Sequence, residues 1–254
     1  MEEALSLINN YLGLIFILIG LGLILFFYFM PGLPEIDLRP IQAFTHFRRE
    51  VDLAVEAGKR LHISLGRGSI NDLQGGATLI GLTILDRCAR AASTSDRPPV
   101  TTSGDGVVTI LSQDTLQSTY RSLAAEERYD PTSARLTGLT PMAYAAGAIP
   151  AIHDEQVSAN ILAGHYGTEV ALLIEAGERS RTLTVAGSDS IPTQAILFSA
   201  ADEPLLGEEL YTAGAYLGGN PIHVASLRMQ DIVRWLIIVA MLIGAILKLL
   251  GILA

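Results

Sequence analysis

The chain has 254 residues, 17 of them basic and 26 acidic, for a formal net charge of −9, and half of it is hydrophobic. So large an apolar share excludes a disordered chain, and the acidic balance argues against a broad nucleic-acid surface, which needs a basic footprint. The single cysteine, Cys88, excludes an internal disulfide framework and a zinc site built mainly from cysteines.

No charge occurs between Glu3 and Glu35, and residues 11–30 read YLGLIFILIGLGLILFFYFM. Twenty helical residues rise about 30 Å, the depth of a bilayer's hydrocarbon core. The acidic start MEE and the length of the run fit a transmembrane helix over 7–30 better than a signal peptide. A second transmembrane helix is predicted over 232–254. Residues 235–247 are free of charge, Trp235 suits one interface, and Lys248 can snorkel to the other. Arg39, Arg48, Arg49, Lys59 and Arg60 follow the first segment, and Arg228 and Arg234 precede the charge-free run of the second. The positive-inside rule then predicts a two-pass protein of the cell membrane, with residues 31–230 cytoplasmic and both termini outside.

Pro31, Pro34 and Pro40 mark the exit from the first segment. Residues 31–58 read as a juxtamembrane linker ending in an amphipathic helix over 41–58. Phe44, Phe47, Val51 and Val55 lie on one side of it and Arg48, Arg49, Asp52 and Glu56 largely off that side, so it could lie along the membrane interface. Residues 59–220 read as a separate domain. Strands are expected at 61–65, 99–102, 134–139, 157–163 and 182–185. Helices are expected at 77–92, 107–123, 141–149, 168–178, 192–201 and 204–217. Five strands each followed by a helix predict an α/β domain with a mostly parallel, three-layer, Rossmann-like sheet, with an α+β domain as the alternative. A connector helix over 221–231 is expected to run on into the second apolar segment.

In such a sheet the loops after the strands share one edge, where ligands bind. The first, GRGSINDLQGG over 66–76, offers backbone amides to an anion, with Ser69 among them, and Arg67 to pair with a carboxylate or phosphate. It matches neither GxGxxG nor a P-loop. In the second, Asp105 is placed to cap the next helix or to serve as a catalytic carboxylate. The third presents Thr140-Pro141 as the start of a helix of small residues. The fourth reads Gly164-His165-Tyr166-Gly167-Thr168-Glu169, with His165 a candidate acid or base and Thr168 a candidate cap. In the fifth, Ser188 and Asp189 could approach a ligand, and Asp189 or Ser190 could cap. The ligand-binding candidates are therefore Arg67, Ser69, Asp105, His165, Thr168, Ser188 and Asp189. The chain has no G-x-S-x-G, no HExxH, no Cys/His cluster and no EF-hand spacing, so no metal site is expected and no cofactor is named.

The strings GEELYTAGAYLGG, DPTSARLTGLTPMAYAAG and SLRMQDIVRWLIIVAML resemble a family of two-span membrane proteins found mainly in green non-sulfur bacteria and relatives, with no established activity. The resemblance covers nearly the whole chain and implies that both spans and the domain form one unit. It brings no catalytic residues.

With no complete catalytic constellation, the sequence reads first as a non-enzymatic scaffold or assembly subunit. It would be anchored in the lipid bilayer and would associate with itself or with other membrane-protein subunits. The small residues Ala213, Gly214, Ala215 and Gly218 offer close packing. One alternative is a membrane-tethered domain that binds or senses a small anionic or nucleotide-like ligand. The other is a membrane-associated enzyme working through Arg67, Asp105, His165 and Asp189.

Overall fold

Six short strands, all paired in parallel, form one sheet: β1 (Arg60–Gly66), β2 (Val100–Ser103), β3 (Ala134–Leu136), β4 (Val157–His165), β5 (Leu183–Ser188) and β6 (Glu203–Leu205). Parallel neighbours need a long crossover, and helices supply it: α3 (Gly75–Ala92), α4 (Gly106–Ser122), α5 (Pro141–Asp154), α6 (Val170–Arg179) and α7 (Ile191–Ala200). An earlier helix, α2 (Gln42–Glu56), precedes β1, and a 3-10 turn (Gly207–Thr212) with α8 (Ala213–Gly218) follows β6. The strand order is β3-β2-β1-β4-β5-β6, a doubly wound order that reverses between β1 and β4. The computed structural model describes residues 2–30, 39–72, 74–95, 97–218 and 221–250, in two compact units, one of them Arg39–Gly218.

Alternation along the strands divides the interior of this unit in two. Leu61, Ile63, Leu65, Ala159, Ile161 and Val185 join Phe44, Phe47, Ile84, Leu85, Val108 and Leu116, contributed by α2, α3 and α4. Leu162 and Ala186 join Tyr144, Ile152, Leu173 and Leu197 from α5, α6 and α7. Helices thus cover both faces of the sheet, as expected of a sheet whose strands are all parallel.

The second face carries a polar seam. His62, Ser64, Thr102, Asn160 and Thr184 are all buried. His62 stands opposite Asn160 in the strand register, and Asn160 opposite Thr184. Asn160 Nδ2 donates to the Leu173 carbonyl at 3.3 Å, so its Oδ1 accepts from His62 Nδ1 at 2.7 Å. His62 Nε2 is left to accept from the Thr102 hydroxyl at 2.9 Å. The imidazole is neutral in this arrangement. Burial pushes its pKa down to about 4, with the Asn160 hydrogen bond opposing and the Arg135 charge assisting. Tyr166 donates to the Ser64 carbonyl at 2.7 Å, and the Tyr144 hydroxyl bonds the Ser64 hydroxyl.

Several elements differ from the sequence reading. Residues 203–205 form a sixth strand where a helix over 204–217 is expected. Pro204 lacks an N–H and suits an edge strand, and buried Leu205 anchors it. The third strand ends at Leu136 instead of running to 139, its last ladder bond being from Thr137 N–H to the Ser103 carbonyl at 3.0 Å. Helix α5 runs through Pro150 to Asp154 instead of ending at 149, since Ala151 and Ile152 beyond the proline are buried. The apolar face of α2 lies in the first core, so Phe44, Phe47 and Val51 are spent there and not on a membrane surface.

The other unit contains α1 (Glu2–Phe29) and α9 (Pro221–Leu249). They pack on each other: a Cβ at Gly20 would lie 3.6 Å from Met229 Cε. Helix α9 is uninterrupted from Pro221 onward. Both helices are long and apolar enough to cross a membrane, and none of the most apolar window of either is buried, unlike the core helix of a soluble protein.

His62 gives the fold a pH dependence. Above about pH 6.5 the imidazole is neutral in both folded and unfolded chains. As the pH falls from there the unfolded chain binds the proton first, and stability drops until about pH 4, where the folded protein also protonates. The difference amounts to roughly 3 kcal/mol. Thermal unfolding followed between pH 7 and 4 should show this loss, and His62→Gln should flatten it. An unchanged slope in the variant would remove His62 as the cause.

Candidate functional site

The strand order reverses between β1 and β4, so their carboxyl ends define the crevice where a doubly wound sheet holds a ligand. Here the ladder bonds continue to the very ends of the strands. Arg67 N–H donates to the His165 carbonyl at 2.9 Å, and Gly104 N–H donates to the Gly66 carbonyl at 2.9 Å. Gly66 has φ +71°, and a Cβ on it would come within 2.3 Å of the His165 oxygen, so only glycine permits this approach. The loops after β1, β2 and β4 are tied into one layer.

Arg67 turns across this layer. Its stem lies over Gly104, where a Cβ would come within 2.5 Å of Arg67 Cγ. Its Nε donates to Glu169 Oε1 at 2.8 Å. Glu169 is 2% exposed and also accepts from the Gly167 N–H at 3.0 Å. Burial alone would raise the pKa of this carboxyl. The Arg67 and Gly167 hydrogen bonds outweigh it and hold the group below the usual carboxylate range. The arginine read as a ligand for an external carboxylate or phosphate is bonded to a carboxylate of its own chain.

Beside it, His165 Nδ1 meets Asp189 Oδ1 at 2.8 Å. A Cβ on Gly68 would come within 2.9 Å of His165 Cβ, so the first loop backs the imidazole. Tyr211 is also near, and its phenol pKa is raised by burial and by the Asp189 charge. Asp105 caps α4, accepting from Val108 N–H at 3.0 Å. Ser188 is fully buried, and its hydroxyl accepts from Ser190 N–H at 3.3 Å. Thr168 is exposed and does not cap α6, whose N-cap is Glu169 without a side-chain bond. Ser190 is the N-cap of α7, again without a side-chain bond. Ser69 lies half-buried in the first loop.

The structure therefore brings Arg67, His165 and Asp189 together at one edge, with Asp105 on the adjoining loop, but engages them in bonds with one another, with Glu169 and with a helix end. Sequence reasoning singled out neither Glu169 as the partner of Arg67 nor the buried His62–Asn160 pair. The polar residues at alternate positions of β1 and in the neighbouring strands are the signal that could have found the seam, since a parallel strand covered on both faces is ordinarily apolar on both. Among the described residues no group of three or more His, Cys, Asp or Glu side chains could hold a metal ion.

The profile of one protein family, Domain of unknown function (DUF6754), matches residues 3–254. The chain belongs to this family. No curated protein and no solved structure matches it. Membership spans both apolar helices and the α/β unit, and it assigns no residue a role.

The Arg67–Glu169 pair can be tested by removing one side. Arg67→Ala leaves an uncompensated buried carboxylate and should destabilise the protein by about 3 kcal/mol at pH 7. Without its partner, burial raises the Glu169 pKa, so the deficit should shrink as the pH falls and the group protonates. Glu169→Gln should cost less. Chemical denaturation of the three proteins at pH 7 and 5 checks this. A cost for Arg67→Ala that grows toward pH 5 would contradict the assignment.

Proposed function

We propose that this protein is a membrane-anchored assembly subunit, held by α1 and α9, whose α/β unit stands in the cytoplasm and self-associates through the strand-end corner at β2 and β3. The observation that carries the proposal is a set of exposed apolar side chains on the loops and helix starts at that corner. The loops following β2 and β3 touch, since a Cβ on Gly104 would come within 3.1 Å of the Gly138 carbonyl oxygen. Around them Val107, Ile110, Leu136, Leu139 and Met142 are exposed, Ile110, Leu139 and Met142 to 65% or more. Clustered exposed apolar side chains mark interaction surfaces. The neighbouring charges that would serve a ligand are already paired or capping. The outer edge of β3 among the described residues pairs with no further strand, which leaves backbone groups beside the cluster.

A second reading draws on the His165–Asp189 pair. An imidazole held by a carboxylate at a strand end is the arrangement that orients a general acid or base. It supports a small-ligand or enzymatic role for the crevice beside it.

The test uses the intact protein in lipid nanodiscs. Mass photometry should find more than one copy per particle, and Ile110→Glu with Met142→Glu should give single copies that keep the wild-type melting temperature. A wild type that stays single at every concentration would refute self-association. Orientation is read in intact cells that carry Ser118→Cys, since Ser118 is exposed and Cys88 is buried with its thiol pKa pushed up by burial. An impermeant maleimide should leave intact cells unlabelled, and labelling would invert the orientation.

A further inference from the structure

Away from the strand ends, α2, α3 and α8 line an open cavity of about 180 Å³, walled by Phe47, Arg48, Val51, Asp52, Arg87, Ala91 and Leu217. Its walls are apolar except at three charged side chains. The unusual one is Arg87. Its Nε is buried and has no hydrogen-bond partner. No carboxylate among the described residues forms an ion pair with it. The guanidinium lies flat on Gly218, where a Cβ would come within 2.4 Å of Nη2 and 2.6 Å of Nε. A buried donor on a charged group with no acceptor costs free energy unless something fills the gap. Arg48, at the rim, donates through Nη2 to the Tyr216 carbonyl, and its other nitrogens remain for a ligand.

We propose that this cavity binds a phosphodiester monoanion, supplied by a membrane phospholipid headgroup. Among the lining side chains two guanidiniums and one carboxylate, Asp52, leave a single net positive charge, Asp86 beside Arg87 being paired with Arg90, and one positive charge matches a phosphodiester better than a dianionic phosphate monoester. Phe47, Val51, Ala91 and Leu217 suit the carbons attached to the ester oxygens. The volume is below the roughly 300 Å³ at which drug-sized pockets begin, which suits a headgroup-sized fragment. Leu217 stands four residues before Pro221 in the sequence, so the chain leads from the cavity's last lining residue into α9, a helix apolar enough to cross a membrane. The lipid source rests on the membrane reading above, whereas the phosphodiester chemistry does not.

The full-length protein, stripped of lipid in detergent, should be titrated with dihexanoyl phosphatidylglycerol, with glycerophosphoglycerol and with inorganic phosphate. Native mass spectrometry counts bound molecules, and thermal melts report stability. Phosphatidylglycerol should bind at one molecule per chain and raise the melting temperature. Arg87→Met should weaken that binding by about tenfold or more, as loss of a charge-assisted hydrogen bond does. The same change should raise the melting temperature of the lipid-free protein, because it removes a buried donor that has no acceptor. Arg87→Lys, which keeps the charge, should retain part of the binding. Unchanged lipid binding in Arg87→Met overturns the site, and so does a lower lipid-free melting temperature in that variant, which would make Arg87 structural. Glycerophosphoglycerol bound as tightly as the lipid would overturn the lipid source. Tighter binding of inorganic phosphate would overturn the phosphodiester assignment. The same spectra report copies per particle, so a failure of self-association is seen separately from a failure to bind lipid.

Discussion

One buried carboxylate governs the strand-end face. Glu169 is nearly inaccessible to water, yet it stays ionised because Arg67 and the Gly167 N–H donate to it. A charge in that position cannot be left alone without a large desolvation penalty, so the arginine must cross the crevice to reach it. That crossing determines what else the face can do. Arg67 lies over Gly104, the backbones after β1 and β4 join, and the place where a doubly wound sheet ordinarily admits a ligand is occupied by the protein's own side chain.

The same logic runs through the sheet. One face is packed with Leu, Ile, Val and Ala, and the other carries the His62–Asn160–Thr184 seam, which tolerates burial only because its members bond one another and the Leu173 carbonyl. Such a seam fixes strand register, since a slip of one residue would turn His62 toward the apolar face. The two polar systems, seam and crevice, meet where Tyr166 bonds Ser64 and the next residue, Gly167, donates to Glu169.

Much of the architecture was legible in the sequence. Hydrophobic periodicity separates five strands from their helices, and the βα alternation implies a parallel sheet. Pro204 concealed the sixth strand, because proline before a helix-like stretch reads as a helix start whereas an edge strand accepts it equally well. The face of α2 was legible as apolar, but periodicity carries no information on whether such a face meets a core or a membrane. At the site, Arg67, His165 and Asp189 were legible as residues of one edge. Their bonding was not. The His165–Asp189 contact joins residues 24 apart and the Arg67–Glu169 contact residues 102 apart, and both depend on strand order, which a single sequence does not encode visibly.

If the strand-end corner serves assembly and the crevice beside it is closed, both should be visible in the membrane-embedded protein. Electron cryomicroscopy of the intact protein in nanodiscs tests this most directly. Two or more copies should be in contact through Val107, Ile110, Leu139 and Met142, with Arg67 still bonded to Glu169. A map in which that corner faces solvent, while a small molecule parts Arg67 from Glu169 and sits against His165, would contradict it.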